Sequence, residues 1–353
     1  MTSQAWQILP LPSVSWRSPE ALTHLQLNTS VPTPTAKDLG ENQVLIRIKA
    51  ASINARDVMV IAHDPIYPLT NIPTLSPCAD GSGEIIASHP TSTYKPGDRI
   101  IMHPLPGYTT STPPPSLEEM RGRGAGSVQG TLRQYAIVDE SELFSVPAHL
   151  SYEQAAAIPA AGATALNALL FGPMEMKPGM TILTIGTGGV SCAAIQLASS
   201  LSLTVIATSS SPTKLTLAKS LGAIHTLLYT SPTWVADLLA LTAGKGVDHV
   251  LDVAGDLATS LKCVKQGGLV SLIGFLDQSE RGPKSDLVPD ILYGGKIVRG
   301  VFGFNTEHVA RLLEITSEYK LEPLMEVFEW EDAREAFERS MGRSVVGKIV
   351  IRV

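Results

Sequence analysis

Apolar residues follow two different rhythms along this chain. In the first half they alternate with polar ones. Residues 44–53 alternate as a strand with one buried face does, and 81–87, 98–102 and 132–138 read as further strands between turns. That pattern predicts an antiparallel, partly barrel-like domain. From residue 180 the rhythm changes. Apolar runs at 181–185, 204–208 and 268–274 read as strands buried on both faces, and 247–253 reads as a further buried strand. Segments with helical spacing separate them, including 212–221. Strands alternating with helices predict a parallel sheet with helices on both faces, so the fold class is α/β.

Residues 180–213 carry no charge and are long enough to span a membrane. Gly188 and Gly189 in the middle of the run, with its many Thr and Ser residues, argue against a lipid-facing helix. A buried strand, a turn and a helix account for it better.

The turn itself carries the chemistry. The strand at 181–185 ends in Gly186, followed by Thr187, Gly188, Gly189, Val190 and Ser191, and then by helical spacing. This is the strand, tight turn and helix of a dinucleotide-binding unit. Gly186 permits the sharp exit from the strand. Gly188 lets the backbone approach a pyrophosphate, with a glycine-type φ expected there. The helix then points its free N–H groups at the phosphates. Ser191 stands where the third glycine of the pattern is usual, a position that needs a small residue for close helix–strand packing.

At 353 residues the expectation is two domains. A charged fraction of 17 % against an apolar fraction of 44 % excludes disorder. The net charge of −6 without a basic block gives no reason to expect nucleic acid. Cys78, Cys192 and Cys263 are odd in number and far apart, which makes neither a disulfide framework nor a zinc quartet. No signal-peptide pattern opens the sequence, and a cytoplasmic, reducing location is expected. Residues 104–130 are rich in Pro and Gly and read as a long, solvated loop of the kind that often serves as a lid. Arg121 and Arg123 within it are the groups that would meet an acidic substrate.

From about Val44 to Val353 the chain resembles the medium-chain dehydrogenases/reductases. The matching segments are 51–57, 78–83, 94–99, 130–135, 155–165, 186–191, 267–268 and 347–351. The resemblance implies a GroES-like, mainly β catalytic domain at 1–150, a Rossmann domain at 151–294 and a return to the catalytic domain at 295–353. It also implies that the three catalytic zinc ligands of the family's zinc enzymes fall on Asn54, Ala79 and Ala161. A catalytic zinc needs three N, S or O ligands and an open position, and only Asp80 nearby has a donor side chain. Residues 103–135 contain no Cys for a structural zinc. The expectation is an enzyme without zinc, similar to the quinone oxidoreductase-like and enoyl reductase-like branch.

Dehydrogenases that prefer NAD place a carboxylate at the end of the second strand of the unit. Here that place holds Ser209, Ser210 and Ser211, with Lys214 one turn on. Those hydroxyls suit the 2′-phosphate of NADP(H), and they also suit a helix N-cap run. By resemblance Tyr229 flanks the same phosphate, and Thr164, Gly255, Ile273, Gly274, Phe275, Gly303 and Lys348 join the cofactor site. The resemblance places Asn54, Arg56 and Asp57 along the cleft. Asn54 is a candidate to hydrogen-bond substrate or nicotinamide ribose, and Arg56 to pair with Asp57 or Asp80. Tyr67 and His63 are the candidate proton donors, and the bland reading of His63 is a solvated loop residue. No Ser-His-Asp set is recognisable.

Two classes remain. One is an NADPH-dependent oxidoreductase, reducing either an activated double bond (enone, enoyl or quinone-like) or interconverting carbonyl and alcohol. The other is a non-catalytic NADPH-binding sensor. The expected partner is a small-molecule substrate, with a homodimer open and neither nucleic acid nor membrane.

Overall fold

The computed structural model describes residues 1–109, 114–274, 287–342 and 344–353. Phe275, one of the expected cofactor residues, lies outside these, as do residues 110–113 of the long loop. The chain forms two compact units, Met1–Ala160 with Phe304–Val353, and Ala161–Gly303. Both breaks fall later than the expected 150 and 294. The helix Tyr152–Ala157 stays with the first unit because Ala156 and Ala157 pack on Ala50 and Val350. Residues 297–300 belong to the second unit because they add a strand to its sheet.

In the first unit, β1 (Thr2–Ile8) and β2 (Leu25–Pro32) make an antiparallel ribbon. Then come β3 (Gln43–Ile53), β4 (Asp80–Ser88), β5 (Arg99–Met102), β6 (Tyr135–Asp139) and β7 (Leu143–Ser145). Val44, Ile46 and Ile48 meet Ile85, Ile100, Met102, Val138 and Leu143 in one buried cluster, but Leu45, Ala51 and Ile53 of the other face are buried too, so β3 is not the half-buried strand that alternation predicts. The strand expected at 132–138 begins only at Tyr135. Residues 132–134 are taken by β1 instead, through Trp6 N–H to Leu132 O at 3.1 Å and Gln134 N–H to Gln4 O at 3.1 Å.

The second unit contains β8 (Thr181–Ile185), β9 (Thr204–Ser209), β10 (His225–Leu228), β11 (Val247–Asp252), β12 (Val264–Leu272) and β13 (Ile297–Gly300). All neighbouring pairs are parallel, and the order is β10-β9-β8-β11-β12-β13. This is the doubly wound order in which ligands bind at the carboxyl ends of the strands, where the direction of winding reverses. That point lies between β8 and β11. The uncharged run 180–213 is β8, a turn, the helix Gly189–Ser200 and β9, and no described helix is long and apolar enough to cross a membrane.

The returning chain supplies β14 (Met325–Phe328) and β15 (Lys348–Arg352). β15 is antiparallel to the end of β3, pairing Ile349 with Ile53 and Arg352 with Ala50. Among the described residues the sheet runs β14-β15-β3-β4-β5-β7, with β6 on the first part of β3. The C-terminal tail is therefore built into the sheet that ends at Ile53, one residue before the first candidate catalytic side chain.

His249 on β11 is fully buried and meets the Ser271 hydroxyl at 2.9 Å. Burial, helped by Arg299, pulls its pKa down to about 3. The unfolded chain binds the proton that the folded chain refuses. The stabilisation is thus complete above about pH 6.5 and lost as the pH falls from there toward 3. His249→Gln should flatten the acid limb of stability between pH 6.5 and 4, measured as the urea midpoint against pH. An unchanged slope would assign the acid sensitivity elsewhere, with His103, pulled to about 4 by burial, the next candidate.

Candidate active site

The turn after β8 is built by two glycines with different tasks. Gly186 has φ +84°, a left-handed conformation that side chains resist. Gly188 has φ −77° and ψ −177°, which any residue can adopt. The expectation of a glycine-type φ at Gly188 is thus corrected, and the strained position is Gly186. What Gly188 provides is space: nothing lies within 4 Å of where its Cβ would stand. It is the N-cap of the helix Gly189–Ser200 and gives no side-chain cap. The first-turn N–H groups of Gly189 and Val190 are thereby left for an anion. Ser191 is 1 % exposed and donates its hydroxyl to Ile185 O at 3.2 Å. The larger residue in the third glycine position is accommodated by tying helix to strand.

The other expected cofactor residues of this unit cluster at strand ends. Thr187 Oγ1 lies 3.2 Å from Ser209 Oγ, and both are buried. Ser209 is committed to the turn, so two hydroxyls rather than three remain toward a 2′-phosphate. Ser210 is exposed, and Ser211 is the N-cap of the helix Pro212–Ser220 without spending its hydroxyl on the cap. Lys214 is half-buried in the first turn of that helix. Tyr229 is exposed and its N–H reaches Ser209 O at 3.1 Å.

After β11, Asp252 gathers the backbone of its own turn, accepting from Gly255 N–H at 2.7 Å and Ala254 N–H at 3.0 Å and from the Ser260 hydroxyl at 3.0 Å. Ile273 N–H donates to Asp252 O at 2.8 Å. A Cβ on Gly274 would stand 2.3 Å from Val253 O, so only glycine closes these two strand ends together. Thr164 is half-buried on the helix Pro159–Leu170. Gly303, with φ +70°, accepts from the Asn167 amide at 2.8 Å.

In the first unit, the structure groups Asn54, Asp80 and Lys348. Asp80 is wholly buried and accepts from Asn54 Nδ2 at 2.9 Å, Lys348 Nζ at 3.2 Å and Ala160 N–H at 2.9 Å. Lys348 also donates to Asn54 Oδ1 at 2.6 Å and Ile53 O at 2.9 Å. Lys348, assigned by resemblance to the cofactor, here has its three donors spent inside this cluster. The Asn54 carboxamide is engaged at both ends, which leaves one amide hydrogen for any ligand. The β15 register explains the grouping, since Lys348 follows from the pairing of Ile349 with Ile53.

Arg56 and Asp57 sit on the helix Ala55–Ile61. Arg56 Nε lies 3.6 Å from Asp57 Oδ1, the ion pair expected for it. Asp57 is wholly buried, and its Oδ2 accepts from Asn54 N–H at 2.7 Å. Burial raises its carboxyl to about 6, against the pull of Arg56. Arg56 Nη1 donates to Tyr67 Oη at 3.1 Å and Nη2 to Arg123 O. No described residue accepts the Tyr67 hydroxyl proton.

The loop carrying Arg123 is not merely solvated. Arg123 is 5 % exposed, is paired with Glu142 and donates to His103 O at 3.2 Å. Burial is possible because Gly124 and Gly130 lie where a Cβ would stand 2.6 Å from Cys78 O and 2.1 Å from Pro77 O. Arg121 is exposed. His63 is likewise held, its Nε2 donating to Leu9 O at 2.8 Å, with Asn71 Nδ2 3.4 Å from its Nδ1. Cys78 is buried, and burial pushes its thiol well up. Sequence reasoning missed His103, packed between Phe144 and Phe304 with ring centroids 5.8 and 5.9 Å away. Its segment had no periodic signal to mark it.

The residues do not fit a catalytic zinc. Asn54 is committed to Lys348 and Asp80, and methyl groups stand at Ala79 and Ala161. Among the described residues no three His, Cys, Asp or Glu side chains gather as metal ligands.

Comparisons with known proteins agree with this architecture. A family model described as an alcohol dehydrogenase GroES-like domain matches residues 40–148, and one described as zinc-binding dehydrogenase matches 189–318. A zinc-type alcohol dehydrogenase-like protein of Schizosaccharomyces pombe is 32 % identical over 323 residues, 89 % of this chain and 92 % of that one. The quinone oxidoreductase of Sus scrofa is 26 % identical over 344 residues, 93 % of each chain. A solved NAD-dependent alcohol dehydrogenase superposes with a TM-score of 0.84 at 28 % identity, covering 99 % of each chain.

Gly188→Val should leave the chain folded, because its φ is ordinary and its Cβ meets nothing. Binding of a nicotinamide dinucleotide, tested with NADPH and NADH, should be lost, because the side chain fills the space before the helix N-terminus. Gly186→Ala should instead cost roughly 1–2 kcal/mol of stability through the left-handed φ. Fluorescence titration and thermal melts of the two variants check this. Normal NADPH binding by a folded Gly188→Val would remove Gly188 from the phosphate site.

Proposed function

Because the chain belongs to the medium-chain dehydrogenase/reductase superfamily, we propose that it is an NADPH-dependent, zinc-independent reductase of a double bond conjugated to a carbonyl. The observation that carries the reading is the Tyr67 hydroxyl. Its oxygen accepts from Arg56 and its proton has no described acceptor, so it stands as an acid ready to donate. Bound NADPH supplies a hydride. An isolated ketone receiving hydride develops a full alkoxide, the charge a Lewis-acid metal would stabilise. A conjugated acceptor spreads that charge into an enolate, which hydrogen bonds can hold. Tyr67 then protonates the enolate.

The preference for NADPH is supported by the end of β9. No carboxylate stands there to accept a ribose hydroxyl or repel a phosphate, and Ser210, Ser211 and Lys214 are the groups for a 2′-phosphate. Gly188 and the helix after it would hold the pyrophosphate.

A second reading has its own support, since the superposed enzyme of known name is an NAD-dependent alcohol dehydrogenase. In that reading Tyr67 protonates an alkoxide. Product analysis with deuterated NADPH separates the two. Deuterium at the β-carbon of a saturated ketone is expected, whereas deuterium on a carbinol carbon with the alkene intact would hand the case to carbonyl reduction. No turnover with any of a panel of enones, quinones and ketones would leave a binding protein.

Two further outcomes are expected. Lys214→Ala should weaken NADPH by about 10- to 150-fold, the worth of a charge-assisted hydrogen bond, and leave NADH nearly unchanged. Equal loss for both cofactors would make Lys214 structural. Elemental analysis of the active protein should find no zinc, and chelator should not reduce its rate. One zinc per chain would overturn the zinc-independent reading.

A further inference from the structure

The following rests on the assignment of Tyr67 as proton donor. We infer that Arg56 is a positioning residue that aims the Tyr67 O–H and holds the phenolate left when its proton is given up. A guanidinium has donors and no acceptor. The 3.1 Å contact from Arg56 Nη1 therefore occupies a lone pair on Tyr67 Oη and turns the hydroxyl hydrogen away from Arg56. The guanidinium carbon lies 5.7 Å from the Tyr67 ring centroid.

The guanidinium is itself fixed from three sides. Nη2 donates to Arg123 O, Nε faces Asp57 across 3.6 Å, and Asp57 is anchored by Asn54 N–H. Arg123 is clamped in turn by Glu142 and His103 O. Gly122 completes the socket: a Cβ there would stand 3.3 Å from Arg56 Nη1. The fork is needed because one planar group must reach a phenol, a carbonyl and a carboxylate at once, which an ammonium on a lysine stem does not do.

The step balances without another reagent. The Tyr67 O–H bond breaks, its electron pair stays on the phenolate oxygen, and the proton bonds to the enolate of the substrate. Solvent water later returns a proton to Tyr67. The charged groups facing Arg56 are Asp57 and Asp80, and the phenolate adds a third partner for its charge.

The test reads the phenol directly. Difference absorbance between the protein and its Tyr67→Phe variant, titrated with alkali, reports Tyr67 alone. Arg56→Met should raise that titration midpoint, because the phenolate loses a charge-assisted hydrogen bond. It should also move the alkaline limb of the rate profile the same way and lower kcat at neutral pH roughly tenfold. Tyr67→Phe should cost on the order of a hundredfold. Adding Arg56→Met to it should cost little more, because Arg56 acts through Tyr67. Arg56→Lys should not restore the midpoint.

Arg56→Met alone leaves Asp57 buried without the counter-charge that contacts it. The same measurements are therefore repeated on Arg56→Met combined with Asp57→Asn, and NADPH titration checks that each variant is folded. An unmoved phenol titration, or losses that add in the double variant, would overturn the role of Arg56 while leaving Tyr67 as donor. A fully active Tyr67→Phe would overturn the donor assignment itself, and with it this inference.

Discussion

One buried carboxylate, Asp80, joins the two chain segments that make up the first unit. Asp80 and its cation, Lys348, are 268 residues apart in the chain, and nothing in the local sequence joins them. Burying either charge alone would cost several kcal/mol. The structure offsets that cost by completeness. Each Asp80 oxygen has donors, and each hydrogen of the Lys348 ammonium has an acceptor. A pair satisfied in this way adds little net stability over an apolar substitute, but it is specific. It joins β15 to the end of β3 beside Asn54, the first residue after that strand. The helix with Arg56 and Asp57 starts from that point.

The same cluster gives the buried acid at Asp80 a task within the fold. A carboxylate whose oxygens are filled by Lys348, Asn54 and a backbone N–H has a structural task that does not depend on metal. Removing it would strand a buried ammonium. Asn54 serves as the neutral link, accepting from Lys348 through its carbonyl oxygen and donating to Asp80 through its amide.

The parts of the fold that a reader of the sequence can find are those with a repeating physical signal. β8, β9 and the second half of β12 stand out as apolar runs, β11 stands out by its buried-strand pattern in spite of Asp248 and His249, and β3 stands out by alternation. β10 and β13 do not. β10 is an edge strand of four half-buried residues, and β13 carries Arg299 between short apolar positions. The glycine turn was legible in composition but not in conformation, since spacing cannot say which of Gly186 and Gly188 needs the left-handed φ. Lys348 was legible as a residue of interest and not as a partner of Asp80, because strand register across 268 residues leaves no mark in local pattern. The long loop was misread for a related reason. Pro and Gly mark irregular backbone, but whether Arg123 is solvated or buried depends on Glu142 and His103, which the loop meets only in three dimensions.

Arg56 and Asp57 show how the remaining strain is distributed. Asp57 is buried with Oδ1 lacking any hydrogen bond and facing only the guanidinium at 3.6 Å. That is a poor pairing by the standard of Asp80, and its carboxyl is correspondingly pushed up to about 6, by burial above all. A better-paired Asp57 would draw Arg56 toward itself in a bidentate contact. Nη1 would then leave the phenol and Nη2 the Arg123 carbonyl. The loose ion pair and the well-made contacts of the two Nη groups are alternatives for one rigid fork. The chain adopts the arrangement in which the guanidinium faces Tyr67 and the loop, at the expense of the carboxylate beside it.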